Sequence, residues 1–175
     1  MTPEFLLNIP RTTYFDLWCH LLPPRVKVEQ VAFVYALNEP KGDTDSFRCV
    51  DWYTVPPNGF VSRSRFHVEL TDETRALVIK RAHDLQASLV EFHSHVGLEP
   101  AHFSASDLLG FQEFVPHVRW RLKGRPYLAV VVAKSGFDGF VWNDGPNAPQ
   151  HLDGIVVEQK TLRPTKLSSP RGGFF

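Results

Sequence analysis

After its first two residues, the stretch Glu29-Gln30-Val31-Ala32-Phe33-Val34-Tyr35-Ala36-Leu37 is apolar without a break. A strand with one wet face alternates polar and apolar side chains, because successive residues point to opposite sides. This run does not alternate, so it reads as a strand buried on both faces, which needs packed layers above and below its sheet.

The rest of the chain supplies material for those layers. Residues 11–22 space Phe15, Leu17, Trp18, Leu21 and Leu22 as a helix does, with a stop at Pro23-Pro24. Asn38 to Asp45 is a polar turn region, Ser46 to Val55 an antiparallel return strand, and Pro56-Pro57-Asn58-Gly59 a break. Thr71 caps a helix whose first turn holds Asp72 and Glu73 and whose stripe of Ala76, Leu77, Ile79, Ala82 and Leu85 runs to about Ala87. Leu89 to His95 is the next strand and Val96 to Phe103 a loop. Ser104 then opens a helix carrying Leu108, Leu109, Phe111 and Phe114 that should end at Pro116. Strands follow at Tyr127–Ala133, Phe137–Trp142 and Ile155–Lys160, with a turn at Asn143-Asp144-Gly145-Pro146. The expected fold class is an α/β (α+β) sandwich, a mixed and mostly antiparallel sheet flanked by helices. One domain should span residues 1–163, with a mobile polar tail over 164–175.

Composition narrows the function. The 175 residues are 43% apolar and suit one globular domain, and 19 basic residues balance 19 acidic ones. That balance gives no field to draw the chain onto nucleic acid, and the run Arg119 to Arg125 reads as a solvated approach to a hairpin. With only Cys19 and Cys49 and no CxxC pair, neither a disulfide framework nor a cysteine zinc finger is indicated. The N-terminus lacks the pattern of a secretory signal, and no apolar stretch is long enough for a membrane span. A reducing cytoplasm is the expected location.

His20, His67, His83, His117 and His151 are scattered, whereas His93 and His95 share one strand face just before a loop. Asp107, beyond that loop, can return to the same face. Two imidazoles, a carboxylate and an open fourth position describe a catalytic zinc site. Asp107 also has a structural role open to it, because Ser104-x-x-Asp107 is close to a capping box, and the two roles compete for one carboxylate. Hydrolysis further needs a base to take the proton of the attacking water. Glu29, Glu39, Glu69, Glu91 and Glu99 are the candidates. Glu91 lies on the histidine face, while Glu29 reaches the site only if its strand lies beside residues 89–95.

Taken together, Glu29-Gln30-Val31-Ala32-Phe33, His93-Ser94-His95 and Ser104-x-x-Asp107 resemble the JAMM (MPN+) zinc metallopeptidases. The Phe-Ser-Ala-Ser-Asp-Leu context of residues 103–108 looks like the prokaryotic JAB branch. Two features depart from the usual pattern: Val96 stands in place of a proline, and eight residues rather than seven separate His95 from Ser104. The resemblance covers most of residues 25–160 and implies a JAB/MPN-like (cytidine-deaminase-like) core with one zinc per chain. It implies that His93, His95 and Asp107 are the ligands, Glu29 the general acid/base and Ser104 the group that steadies the oxyanion. Glu91 would then orient a ligand histidine through its other ring nitrogen.

The activity implied is cleavage after the C-terminal glycine of a ubiquitin-like modifier, within a bacterial conjugation system (a defence system among the options). The partners would be the modifier and its conjugating enzymes, with no nucleic acid and no membrane. Two other readings stand beside it: a catalytically silent scaffold of the same fold, and a zinc peptidase acting on a sulfur-carrier protein or peptide. The tail Arg171-Gly172-Gly173-Phe174-Phe175 looks like a modifier precursor's end, but reads more simply as a polar terminus.

Overall fold

The apolar run does form a strand with no wet side. In the computed structural model, which describes residues 2–25 and 27–170, β2 (Val31–Lys41) has every side chain from Val31 to Ala36 buried. Val31, Phe33 and Tyr35 join one apolar cluster, and Ala32, Val34 and Ala36 join another on the opposite side. Two helices cover the first side: α2 (Asp72–Asp84) through Val78, Ile79 and Ala82, and α3 (Ala105–Arg121) through Phe111, Val115 and Val118. The other side is covered by α1 (Arg11–Leu21) through Leu17 and Leu21.

The sheet between them is mixed and curled. Its remaining strands are β1 (Glu4–Asn8), β3 (Thr44–Thr54), β6 (Ser88–Ser94), β7 (Tyr127–Ala133), β8 (Gly136–Trp142), β9 (Gln150–His151), β10 (Gly154–Val157) and β11 (Lys160–Leu162). They run in the order β11-β10-β1-β3-β2-β6-β7-β8-β9, so β2 lies at the centre. Pairing is parallel between β1 and each neighbour and between β6 and β7, and antiparallel elsewhere in this sheet. A separate two-stranded hairpin, β4 (Phe60–Arg63) with β5 (Val68–Leu70), stands between β3 and α2 in the chain.

Several elements differ from expectation. β1 and the β4–β5 hairpin are additional strands, each too short for periodicity to reveal. The polar residues 38–45 continue the β2–β3 ladder, whose last pair is Lys41 with Thr44, and the chain reverses at Gly42, where φ is +60°. Ile155–Lys160 is two strands, β10 and β11, parted by a turn in which Glu158 has φ +57°. The basic run from Arg119 is the end of α3 and the turn after it, where Gly124 N–H donates to Arg119 O at 2.7 Å; it is not a hairpin approach. Among the described residues, no helix is long and apolar enough to cross a membrane.

Helix α3 does not end at Pro116 but passes through it. An interior proline costs about 3 kcal/mol, yet continuing the helix buries Val118 and leads into buried Leu122, each worth about 1.5–3 kcal/mol. Burial wins. The segment from Pro164, expected to be mobile, is hydrogen-bonded to the body through residue 168, with Ser168 only 7% exposed. The Arg171-Gly172-Gly173 motif lies outside the described residues.

If the proline is tolerated only because burial outweighs it, replacing it should help. Pro116→Ala restores an N–H for the carbonyl one turn earlier. It should raise the unfolding free energy by about 1–3 kcal/mol in urea denaturation.

Candidate metal centre

Strand pairing brings the sequence motifs together. β6 runs antiparallel to β2 with His93 opposite Val31. Beyond that pair, Ser94 N–H donates to Gln30 O at 3.0 Å and Gln30 N–H donates to Ser94 Oγ at 2.9 Å. Glu29 therefore arrives beside His95, its Oε1 at 3.8 Å from His95 Nε2, with the residue only 3% exposed. Its backbone is fixed from the hairpin side as well, because Glu29 N–H donates to Ser64 O at 2.8 Å. The condition on which Glu29's candidacy depended is met.

Asp107 enters from the start of α3, and the capping box is fully formed. Ser104 Oγ accepts from Asp107 N–H at 3.1 Å, and Asp107 Oδ2 accepts from Ser104 N–H at 2.7 Å. The competition expected for this carboxylate does not arise, because its two oxygens divide the tasks. Oδ2 serves the cap and lies 3.1 Å from His95 Nε2, while Oδ1 faces His93 Nε2 at 3.3 Å. One donor atom from each of His93, His95 and Asp107 fits within 4.8 Å of the other two.

His93 shows what this arrangement lacks as a purely protein structure. It is 2% exposed, and neither ring nitrogen makes a well-formed hydrogen bond, although Oδ1 of Asp107 is near Nε2 and Oε1 of Glu91 is 3.6 Å from Nδ1. A buried polar atom left unsatisfied costs about 1–3 kcal/mol. A cation among the three donors would satisfy Nε2, and two imidazoles with one carboxylate are an ordinary donor set for a divalent transition metal. The residues fit a metal ion.

Charges in the cluster are strongly coupled. Burial pushes the Glu29 carboxyl up to about 7, opposed by the imidazole of His93 and assisted by the carboxylate of Asp107. Burial would also raise Asp107, but His93, His95 and the Ser104 amide outweigh it and hold that carboxyl well below its ordinary value. For His93, burial opposes protonation, and the carboxylates of Asp107 and Glu91 overcome it, raising the imidazole above its usual range. The carboxylates of Asp107 and Glu91 thus make the surroundings of His93 favourable to positive charge.

Glu91 occupies the far side of the His93 ring. It faces Nδ1, and its Oε2 accepts from the Tyr127 hydroxyl at 2.6 Å. Glu39 is excluded by distance in the fold, paired with Arg48 on the exposed β2–β3 hairpin. Glu99 and Glu69 line clefts on either side of the centre. The first cleft, about 300 Å³, is bordered by Glu29, His95, Ser104, Phe66 and the loop 96–102. The second, about 310 Å³, is bordered by His93, Asp107, Glu91, Phe66, Glu69 and Glu113. Phe66, 75% exposed at the tip of the β4–β5 hairpin, belongs to both walls.

Sequence reasoning missed Phe66, the Tyr127 hydroxyl and His102. His102 lies edge-on to His95, with ring centroids 6.3 Å apart, and its Nδ1–H donates to Pro100 O at 2.9 Å. Its place one residue before Phe103 in the loop was the only local signal. No family model matches the sequence, and no curated protein matches it.

With His93 or Asp107 replaced by alanine, the centre keeps two donors. Affinity for Co²⁺, read from its visible absorption, should fall by at least about a hundredfold in each, while His102→Ala should stay within about threefold of the unaltered protein.

Proposed function

We propose that this protein is a zinc-dependent peptidase or isopeptidase of the JAMM (MPN+) type, with a JAB/MPN-like core, that cleaves after the C-terminal glycine of a ubiquitin-like modifier. The observation that carries the reading is buried Glu29 set beside the His93-His95-Asp107 cluster by the β2–β6 pairing. A metal site alone asks for three donors. A second buried carboxylate, arriving from the residues just before β2 and 3.8 Å from His95 Nε2, is what hydrolysis asks for in addition.

The bound zinc would polarise the scissile carbonyl and bring the pKa of a coordinated water to about 7. Glu29 would take a proton from the attacking water as a general base and return it to the departing nitrogen as a general acid. Ser104 already accepts from Asp107 N–H, so its own hydroxyl proton is available for the oxyanion of the tetrahedral intermediate. Glu91, braced by Tyr127, orients the His93 ring from Nδ1.

Shape together with the motif resemblance supports this substrate class. The first cleft is small, about 300 Å³, and Phe66 forms part of its wall, which favours a chain without side chains at the scissile position. The β4–β5 hairpin offers an edge along which an extended tail can add by main-chain hydrogen bonds. The natural partners on this reading are a ubiquitin-like protein and the enzymes of a bacterial conjugation system.

Glu29→Gln should retain one zinc per chain by metal analysis, yet lose about 10²–10⁴-fold in cleavage of modifier fusions ending in Gly-Gly. Glu91→Gln, which weakens the support of the His93 ring without removing the base, should lose only about tenfold. An inactive Glu91→Gln beside an active Glu29→Gln would show that the base has been misassigned.

A further inference from the structure

The loop of residues 96–103 joins the two halves of the centre, with His93 and His95 before it and Ser104 and Asp107 after it. How firmly that loop is held sets how well the imidazoles stay aligned with the carboxylate. Its last residues are held by the C-terminal segment that follows Pro164. Thr165 Oγ1 donates to Ala101 O at 2.7 Å, and Phe103 N–H donates to Ser168 Oγ at 2.8 Å in a buried bond.

This segment is itself anchored. Asp138 on β8 is 0% exposed and, among the described residues, has no cationic partner. Its carboxylate accepts backbone N–H groups: Ser168 at 2.8 Å on Oδ2, and Lys166 at 3.2 Å and Gly139 at 2.9 Å on Oδ1. Thr165 N–H adds a bond to Phe137 O at 2.9 Å. A buried carboxylate bonded in this way fixes the backbone of the strap that carries Ser168.

The force passes from the strap to the centre through Phe103. It directly precedes the N-cap Ser104, and its ring lies 5.9 Å from the His93 ring and 4.9 Å from Phe140. Moving Phe103 would therefore disturb the cap that orients Asp107 and the packing that orients His93 together.

We propose that Ser168, held in place by Asp138, is a positioning residue for the metal centre, acting through the Phe103 amide on Asp107 and His93. The inference rests on His93, His95 and Asp107 being metal ligands, and it adds a part of the chain that contributes no ligand. Support from outside the ligand shell typically changes metal affinity by about 10–100-fold, and the longer route here points to the lower end.

The test uses the full chain stripped of metal and titrated with Co²⁺, together with amide hydrogen exchange and thermal unfolding. Ser168→Ala should weaken Co²⁺ binding about tenfold and speed exchange at Phe103 and Asp107. Lys166→Met is the control: it removes the Lys166–Asp153 bridge of 2.7 Å but keeps the backbone bond to Asp138. It should bind Co²⁺ like the unaltered protein even where its unfolding temperature drops. Should Ser168→Ala fail to fold, Thr165→Val removes the neighbouring bond to Ala101 and should weaken Co²⁺ binding about threefold. Unchanged Co²⁺ affinity in the folded strap variants, with only a lower unfolding temperature, overturns the proposal. An unaltered protein that takes up no Co²⁺ overturns the metal reading itself, and the proposal with it.

Discussion

The register between β2 and β6 is the constraint on which the rest depends. β2 is buried on both faces, so its side chains have only one acceptable assignment to the two apolar clusters. A slip of one residue would exchange the faces, sending Phe33 and Tyr35 to the α1 side and turning Glu29 away from His95. Because both faces are buried, the slip would expose nothing; it would instead drive Phe33 and Tyr35 into space shaped for Ala32 and Ala36, an overpacking that costs about 1–3 kcal/mol per site. Burying an unpaired carboxylate still costs several kcal/mol after relaxation. The packing of β2 nonetheless fixes the register, and it carries a costly glutamate into the one place where a neighbouring positive charge would reward it.

The centre is assembled at the ends of elements, where backbone groups have no ladder or helix partner. Gln30 and Ser94 satisfy each other just beyond the regular β2–β6 pairing, and Ser104 and Asp107 satisfy each other at the first turn of α3. Structural and chemical roles coincide in Asp107 because a carboxylate has two oxygens with separate lone pairs. The cap fixes one oxygen and thereby aims the other. Residues 101–103, which lead into that cap, are hydrogen-bonded to a segment far away in sequence, through Thr165 and Ser168.

Much of the arrangement was legible in the chain, for physical reasons that also explain the gaps. β2, β6, β7 and the starts of α1, α2 and α3 could be read because each has several residues of consistent periodicity or a capping group. The His-x-His spacing placed both imidazoles on one face, and Ser-x-x-Asp placed the carboxylate at a helix start. The choice between Glu29 and Glu91 could not be read locally, since it depends on which strand lies beside β6. β1, β4 and β5 are too short to show a period. Pro116 misled because its local penalty is visible in sequence, while the burial of Val118 and Leu122 that exceeds it is not. Tyr127 with Glu91, and Ser168 with Phe103, are pairs joined only by the fold, so neither member carries a local sign of its partner.

The most direct test of the account is anomalous diffraction at the zinc edge from crystals of the unaltered protein. The account predicts one peak about 2.0–2.2 Å from an imidazole nitrogen of each of His93 and His95 and from a carboxylate oxygen of Asp107. Glu29 should stand nearby without coordinating. A peak at other residues, or Glu29 itself bound as a fourth protein ligand closing the site, would contradict it.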